Sequence, residues 1–545
     1  MKKTIKFMAA AILGFAAIAC SSPEKMAEMA ENVTVKCEPA VLEVVAGEIN
    51  ASVSVTYPED YFHPKAILAV TPVIVFEGGE VAMEPFMFQG EKVEDNYQVV
   101  PAAGTTVTKN VKFAFAPGME NCSLELRGVV SHKKDQIDLP TKKVADGANT
   151  TYMLICKKAN LPLKADNYQE VIKQTEEGQV LYQINSSVVR NSQTKSQSVK
   201  DFLAAVEAVK AHERKTLVST DVVAYASPDG KEDQNNKLSD NRSKSAEKAF
   251  NKVTKKNPFG VPVNVKSIGE DWEGFQELVA ASDIEDKDLI IRVLSMYSDP
   301  AVREQEIKNM SAVYKTLAKN VLPELRRARF IANVEFTNYS NEELLKLIEE
   351  NIDVLDETAI LRAATLVKCC DQKAALYKKA VEKFASANGQ YNLAVTYIKM
   401  DKLAEAKAAL ANCAEDADVK NAKGVVALLE GNNAEAAKLF KAAANEAANA
   451  NLAIVDVLNG DYKAAAAKVA GQTNYNAALI ALLNGNTAPA ASLECACCPC
   501  VAYLRAIAAA RNGDAEGVKK NLENAKKCEK LAARAEKDIE FAQYK

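Results

Sequence analysis

Thr220-Asp221-Val222-Val223-Ala224-Tyr225-Ala226-Ser227-Pro228-Asp229-Gly230 is followed, after a short polar loop, by Asn235-Asn236-Lys237-Leu238-Ser239-Asp240-Asn241-Arg242 and an Ala-rich run to Phe250. The first part reads as a strand. Val218, Thr220, Val222 and Ala224 fall on one face of it, because strand side chains alternate. Ser227-Pro228-Asp229-Gly230 ends the strand, since Pro and Gly punctuate regular structure. Ala246, Ala249, Phe250 and Val253 then recur at helical spacing. The expectation is strand, loop, helix, with Arg242 in the first turn of the helix, on the side of the loop.

The order of these residues resembles the signature of OmpA-like peptidoglycan-binding domains, in which a strand and loop lead into an Asn-x-x-Leu-Ser-x-x-Arg helix start. Gly230, Asn235, Leu238, Ser239 and Arg242 match, whereas Ser227 stands where the family carries its ligand-binding Asp. The resemblance implies a ligand, the diaminopimelate side chain of peptidoglycan. Its free end is a zwitterion, so a site needs a carboxylate for the ammonium and a guanidinium for the carboxylate. Arg242 would supply the second. Asp229, two residues beyond Ser227, is the substitute for the first, with Asn235 beside it. Losing the family's charged hydrogen bond costs roughly 1.5–3 kcal/mol, so the alternative is a domain that keeps this fold without the ligand.

The resemblance extends over residues 167–340. Gly178 to Ser186 fits the family's first strand, and Val199, Phe202, Leu203, Val206 and Val209 mark one face of a helix. A strand from Val261 ends in Gly269-Glu270, and Arg326 to Phe336 fits the closing strand. Between about 271 and 325 lies a helical insertion. Three helices are expected there, around Phe275, over Leu289–Met296 and from Val313 to Leu322, the last stopped by Pro323.

The chain has 545 residues, which implies several domains. Its 68 basic and 72 acidic residues give a formal net charge of −4, with no electrostatic footprint for nucleic acid. Lys2, Lys3 and Lys6 precede an apolar run from Phe7 to Ala19, too short to span a bilayer permanently. Residues 1–19 therefore read as a signal peptide. Ala17-Ile18-Ala19-Cys20 resembles a bacterial lipobox, which implies a lipid on Cys20, residues 20–35 as a lipidated tether, and a periplasm-facing outer-membrane location.

Residues 36–160 switch to period two, in Ser52-Val53-Ser54-Val55, Val111-Lys112-Phe113-Ala114-Phe115 and Cys122-Ser123-Leu124-Glu125-Leu126-Arg127. Some eight short strands separated by turn signals predict an antiparallel, immunoglobulin-like β-sandwich. Leu161 to Asp166 reads as a linker.

From 341 to 545 the chain reads as helical hairpins. Gly431-Asn432, Gly460-Asp461, Gly485-Asn486 and Gly513-Asp514 are versions of one turn, and Asp401-Lys402 is another. Such self-similarity predicts an all-α solenoid. It resembles shortened tetratricopeptide repeats, with Gly424, Ala436, Phe440 and Ala443 at that family's spacing. The resemblance implies a concave face that holds protein segments. Because each repeat contacts only its neighbours, truncation near Asn341 is expected to leave the preceding domains folded.

Cys495, Cys497, Cys498 and Cys500 include two overlapping C-x-x-C spacings, without the second pair of a zinc ribbon. They sit where a repeat helix should start, so packing is the favoured role and no metal is expected. Export permits disulfides, whose pairing the sequence leaves open. Motifs for phosphate loops, zincins and serine hydrolases are absent from the sequence, and none of its motifs implies a cofactor. The sequence thus points to a non-catalytic, lipid-anchored envelope scaffold: sandwich, OmpA-like α/β domain, helical repeats. Its partners would be envelope proteins, the outer membrane through the lipid and, in the rival reading, peptidoglycan as an anchor point.

Overall fold

The computed structural model describes residues 23–545, apart from 159, 230, 285–286 and 495–497. The expectations placed on residues 1–19, Cys20, Gly230, Cys495 and Cys497 lie outside the described residues. The chain forms two compact units, one of residues up to Lys164 with Ala385–Lys545, the other Ala165–Phe384. The first unit therefore joins the two ends of the sequence.

Its N-terminal part is built of β-sheets. Glu48–Tyr57 runs antiparallel between Thr34–Glu38 and Thr105–Ala114. Ile67–Phe76 pairs with Cys122–His132, which pairs in turn with Lys142–Asn149. Val41–Val45 links the two groups, antiparallel to Glu48–Tyr57 and parallel to Lys142–Asn149. The alternation read from the sequence is the burial pattern: Val53, Val111, Phe113, Leu124 and Leu126 all point into the core. The expected tether is shorter than 20–35, because it folds from residue 23 onward. Pro23–Glu28 is a helix whose Met26 is fully buried, with its sulfur accepting from the His63 amide. An apolar side chain with a core beside it does not stay in water.

The second unit centres on a four-stranded sheet in the order Val171–Leu181, Arg327–Thr337, Lys215–Ala226, Val263–Glu270. Neighbours are antiparallel except the last pair, which is parallel. A parallel pair needs a crossover, and the helix Glu232–Thr254 supplies it. With the helix Gln197–Ala211 it covers one face, over Val180, Phe202, Val222, Phe250 and Phe330. Gly178 is required there, since a Cβ would lie 2.6 Å from the Cβ of Phe202. Two details differ from the sequence reading. A bulge between Leu217 and Ser219 turns Val218 outward, where it is exposed. The signature helix starts at Glu232, which places Arg242 about three turns in.

Among its described residues the insertion holds Trp272–Ala280, Lys287–Met296, Pro300–Asn309, Ser311–Asn320 and Leu322–Leu325, five helices where three were expected. Phe275, Val279, Ile290, Leu294, Leu317 and Leu325 give it a core of its own. Pro323 opens the last helix instead of stopping one, at a position where its missing N–H is harmless. The helices Asn341–Glu350, Glu357–Leu366 and Cys370–Phe384 belong to this unit. A capping box of Ser340 and Glu343 starts the first, and Arg214 bonds Glu343 at 2.8 Å. The expected boundary at 341 therefore moves to 384/385.

Beyond it the chain runs as helical hairpins, compatible with a tetratricopeptide-like solenoid. The first helices of successive hairpins are Ala387–Lys399, Ala417–Leu429, Glu446–Leu458, Tyr475–Leu483 and Pro499–Arg511. The turns after them hold Asp401, Gly431, Gly460, Gly485 and Gly513, all at positive φ. Gly424 is needed for close packing, as a Cβ would stand 2.5 Å from the Phe440 ring. These helices share one apolar cluster with the β-sheets of the same unit. Arg534 bonds the carbonyl of Thr150 at 2.9 Å, and Asn149 and Thr151 both donate to Glu540. At Gly460 a Cβ would come 2.3 Å from a methyl carbon of Val45. The expectation of a separable repeat array is overturned by this shared core.

Candidate functional site

Two places gather polar groups with a purpose legible in their chemistry. One is the loop that follows the strand Lys215–Ala226. Ser227 donates to Asp229 at 2.5 Å, and the Asp229 amide bonds the Ser227 carbonyl. Arg326, just before the closing strand, reaches across to Asp229 at 3.0 Å and to the Ser227 hydroxyl at 3.3 Å. Asn235 donates to the Ser227 carbonyl at 3.1 Å and to Glu270 at 2.8 Å. Burial pushes the Glu270 carboxyl up, opposed by its bonds from Asn235 and the Trp272 indole.

Arg242 points elsewhere. It is 1% exposed, and its guanidinium donates to the carbonyls of Ser186 (3.0 Å), Tyr225 (2.9 Å) and Gln183 (3.4 Å). It lies 4.9 Å from the centre of the Tyr182 ring. Burial pulls its pKa down to about 10, so it stays charged at neutral pH. The structure thus brings Ser227, Asp229 and Asn235 together, while Arg242 bonds none of them and feels Asp229 and Arg326 only through their charges. Asp229, the substitute carboxylate, faces Arg326. The sequence reading missed Arg326, Glu270 and Trp272. The signal was the charged pair Arg326-Arg327 at the start of a strand that is otherwise half apolar, which demanded an acidic partner in the loop.

The second place is the inner face of the helical hairpins. Asn392, Asn421, Asn451 and Asn476, one on each of four successive first helices, are between 0% and 3% exposed. Buried amides need partners, and here the partner is an extended segment of the same unit. Asn476 accepts from the Cys156 amide and donates to its carbonyl, both at 2.9 Å. Asn421 and Asn451 both donate to the carbonyl of Asn160, at 2.9 and 3.0 Å. The Asn160 side chain returns a bond to Asn451 at 3.1 Å, and Asn451 also donates to Asn421 at 2.8 Å. Asn392 accepts from the Lys164 amide at 2.8 Å and donates to its carbonyl at 3.0 Å. Upstream, the Tyr475 hydroxyl bonds the Leu154 carbonyl.

The contacted residues, 156, 160 and 164, are four apart. At Cys156 and Lys164 both the N–H and the C=O face an asparagine, and at Asn160 the C=O faces two. Pro162 falls between the contacts, where its missing N–H is not needed, and it holds Leu161 in extended backbone. Side-chain recognition concentrates at Lys164. Its ammonium bonds Asp416 at 2.9 Å and also Asp418, and lies 5.3 Å from the centre of the Tyr391 ring. Burial pulls the Lys164 pKa down, but the bonds to Asp418 and Asp416 outweigh it and hold the value above the ordinary one. The expected linker is therefore a strap bound in the groove. Its sign in the sequence was an asparagine repeated through apolar helices at about the repeat spacing.

Asn451→Ala would remove three of these bonds and leave the Asn160 groups short of partners. A loss of about 2–4 kcal/mol in urea unfolding is expected, from net hydrogen bonds near 1 kcal/mol and 1–3 kcal/mol per stranded buried group. Asn449→Ala, exposed on the same helix, should stay within about 0.5 kcal/mol.

Among the described residues, no three His, Cys, Asp or Glu side chains gather to hold a metal ion. Cys37 and Cys122 are buried free thiols, and Cys498 stands just before the helix Pro499–Arg511 without a side-chain capping bond to its backbone. His63 and His132 come together, with ring centres 4.8 Å apart. Among the described residues no helix is long and apolar enough to cross a membrane.

No family model matches the chain, and none of the curated proteins matches it. Among solved structures, it is similar to one described as "YrrB: a TPR protein with an unusual peptide-binding site". The match is 20% identical and covers 36% of this chain and all of the other, with a TM-score of 0.20. At that score the likeness carries no argument about fold or binding.

Proposed function

We propose that this chain is a non-catalytic scaffold of the bacterial outer membrane, lipid-anchored at Cys20 and facing the periplasm, which works through protein contacts of its helical hairpins. The observation that carries this reading is the row of buried asparagines: a groove that grips extended main chain is a surface made for polypeptide. In this reading residues 167–340 are an OmpA-like domain that keeps the fold without the ligand. Asp229 and Arg326 satisfy each other, and Arg242 is spent on three carbonyls. The rival reading, an anchor on peptidoglycan, requires both charges to be released before a zwitterion can be held.

The test is purification of the full chain from detergent-solubilised outer membrane, with and without Cys20→Ala. Stable membrane anchoring needs more than one acyl chain, which a triacylated cysteine provides. The wild-type chain is expected to bring envelope proteins with it, and Cys20→Ala to move the protein into the periplasmic soluble fraction. Purified protein should pellet poorly with peptidoglycan sacculi. Firm pelleting, competed by free diaminopimelate, would decide for the anchor. A Cys20→Ala variant that still sediments with membrane after a salt wash would remove the lipid from the account.

A further inference from the structure

The groove carries more information than a general affinity for protein. Its contacts divide into two kinds. Asn392, Asn421 and Asn476 read only backbone, and Asn451 reads the Asn160 backbone together with its side-chain amide, so the row would accept most residues other than proline at the positions of Cys156 and Lys164. Asp416, Asp418 and the Tyr391 ring read one side chain, and they read a cation: two carboxylates converge on a single ammonium beside an aromatic face. Asn445 steadies Asp418 with a bond of 2.9 Å.

The residues filling the groove are the chain's own, so an incoming segment meets a site already occupied. We propose that the groove is a receptor for an extended basic peptide, with a lysine eight residues after the first backbone contact, and that residues 154–164 occupy it in cis as a resident strap that such a peptide displaces. This rests on the protein-contact reading above and names the chemistry of the partner segment. Displacement follows from linkage. When the competent state is only fractionally populated, apparent affinity falls by that fraction. The strap is tethered at both ends, so its effective concentration is high, in the millimolar range for short flexible linkers. Wild-type protein should therefore bind a competing peptide weakly. Weakening the strap alone should strengthen it.

The experiment uses the full chain and a fluorescein-labelled synthetic peptide of residues 153–166 carrying Cys156→Ser, since only the backbone of that residue is read. The chain variant is Lys164→Ala, which removes the charged contact from the strap but leaves the groove intact. Loss of one charged hydrogen bond corresponds to roughly ten- to a hundredfold, so the variant should bind the peptide at least about tenfold more tightly than wild type. A peptide that itself carries Lys164→Ala should lose that gain. So should the chain variant when Asp416→Asn and Asp418→Asn are added.

Amide hydrogen exchange gives a second measurement that does not depend on any variant folding. In the wild-type chain the amides of Cys156 and Lys164 should be protected, and excess peptide should expose them. Two results overturn the proposal: a folded Lys164→Ala chain that binds the peptide no better than wild type, or equal binding of peptides with and without the lysine. If the peptide binds as expected while purification from membrane yields no partner, the scaffold reading fails and the groove's chemistry stands.

Discussion

Deletion of residues 385–545 is expected to leave the β-rich N-terminal part unable to fold. The two stretches lie in one compact unit with one apolar cluster. The turn Thr151–Leu154 packs against the helices Glu446–Leu458 and Tyr475–Leu483, and the strand Lys142–Asn149 against the C-terminal turn Ile539–Tyr544. Tyr152, Ile155 and Leu161 are each no more than 6% exposed. Fully burying such a side chain contributes about 1.5–3 kcal/mol, so uncovering three forfeits an amount comparable to the 5–15 kcal/mol that holds a whole domain together. Thr150 and Asn149 would lose Arg534 and Glu540 as well. The fragment should be insoluble or rapidly proteolysed, with no cooperative thermal transition. A soluble fragment ending at Lys164 that melts in one sharp step would show that the β-sheets hold a sufficient core alone.

Arg242→Ala is expected to destabilise the unit Ala165–Phe384 by about 3–5 kcal/mol. The side chain is among the largest that are fully buried. Its removal opens a cavity and takes the charged donor away from the part-buried carbonyls of Ser186, Tyr225 and Gln183. Arg242→Lys should recover only part of the loss, because an ammonium is a single point and cannot fork toward three diverging acceptors. Urea unfolding of the full chain, followed by hydrogen exchange in this unit, measures both. Because Arg242 is buried, any loss of partner retention in Arg242→Ala should track unfolding of this unit. An Arg242→Ala chain with unchanged stability and lost affinity for sacculi would return Arg242 to the role of a ligand contact.

Much of the architecture is legible in local patterns. Val53, Val111 and Leu124 alternate with polar neighbours and are buried as the alternation implies. Gly431, Gly460, Gly485 and Gly513 mark turns because each occupies positive φ, where a Cβ is strained. Gly424 and Phe440 form the close helix contact their spacing suggests. What was not legible is nonlocal. Lys158-Ala159-Asn160-Leu161-Pro162-Leu163-Lys164 has no helical or strand period, and the residues that give it shape stand more than two hundred positions away. The internal satisfaction of Asp229 by Arg326 was hidden for the same reason: a motif records which residues are present, while a partner from another strand decides what they are free to do. The start of the signature helix was misplaced because Glu232 and Asp233, acidic residues favourable in a first turn, lie inside what read as loop.

A unit whose halves are residues up to Lys164 and from Ala385 onward has a consequence in time. The β-strands leave the ribosome first, and the helices that complete their core arrive only after more than two hundred further residues have been made. Domains ordinarily fold as units in the order of synthesis. Here the middle unit, Ala165–Phe384, has all its residues before the first unit does. The earliest-made strands must wait, with apolar faces and unpaired edges open, for the last-made helices. Native pairing of such distant partners is slow, and the waiting chain is at its most aggregation-prone in that interval. Folding should therefore begin in the unit Ala165–Phe384 and finish where residues up to Lys164 meet Ala385–Lys545.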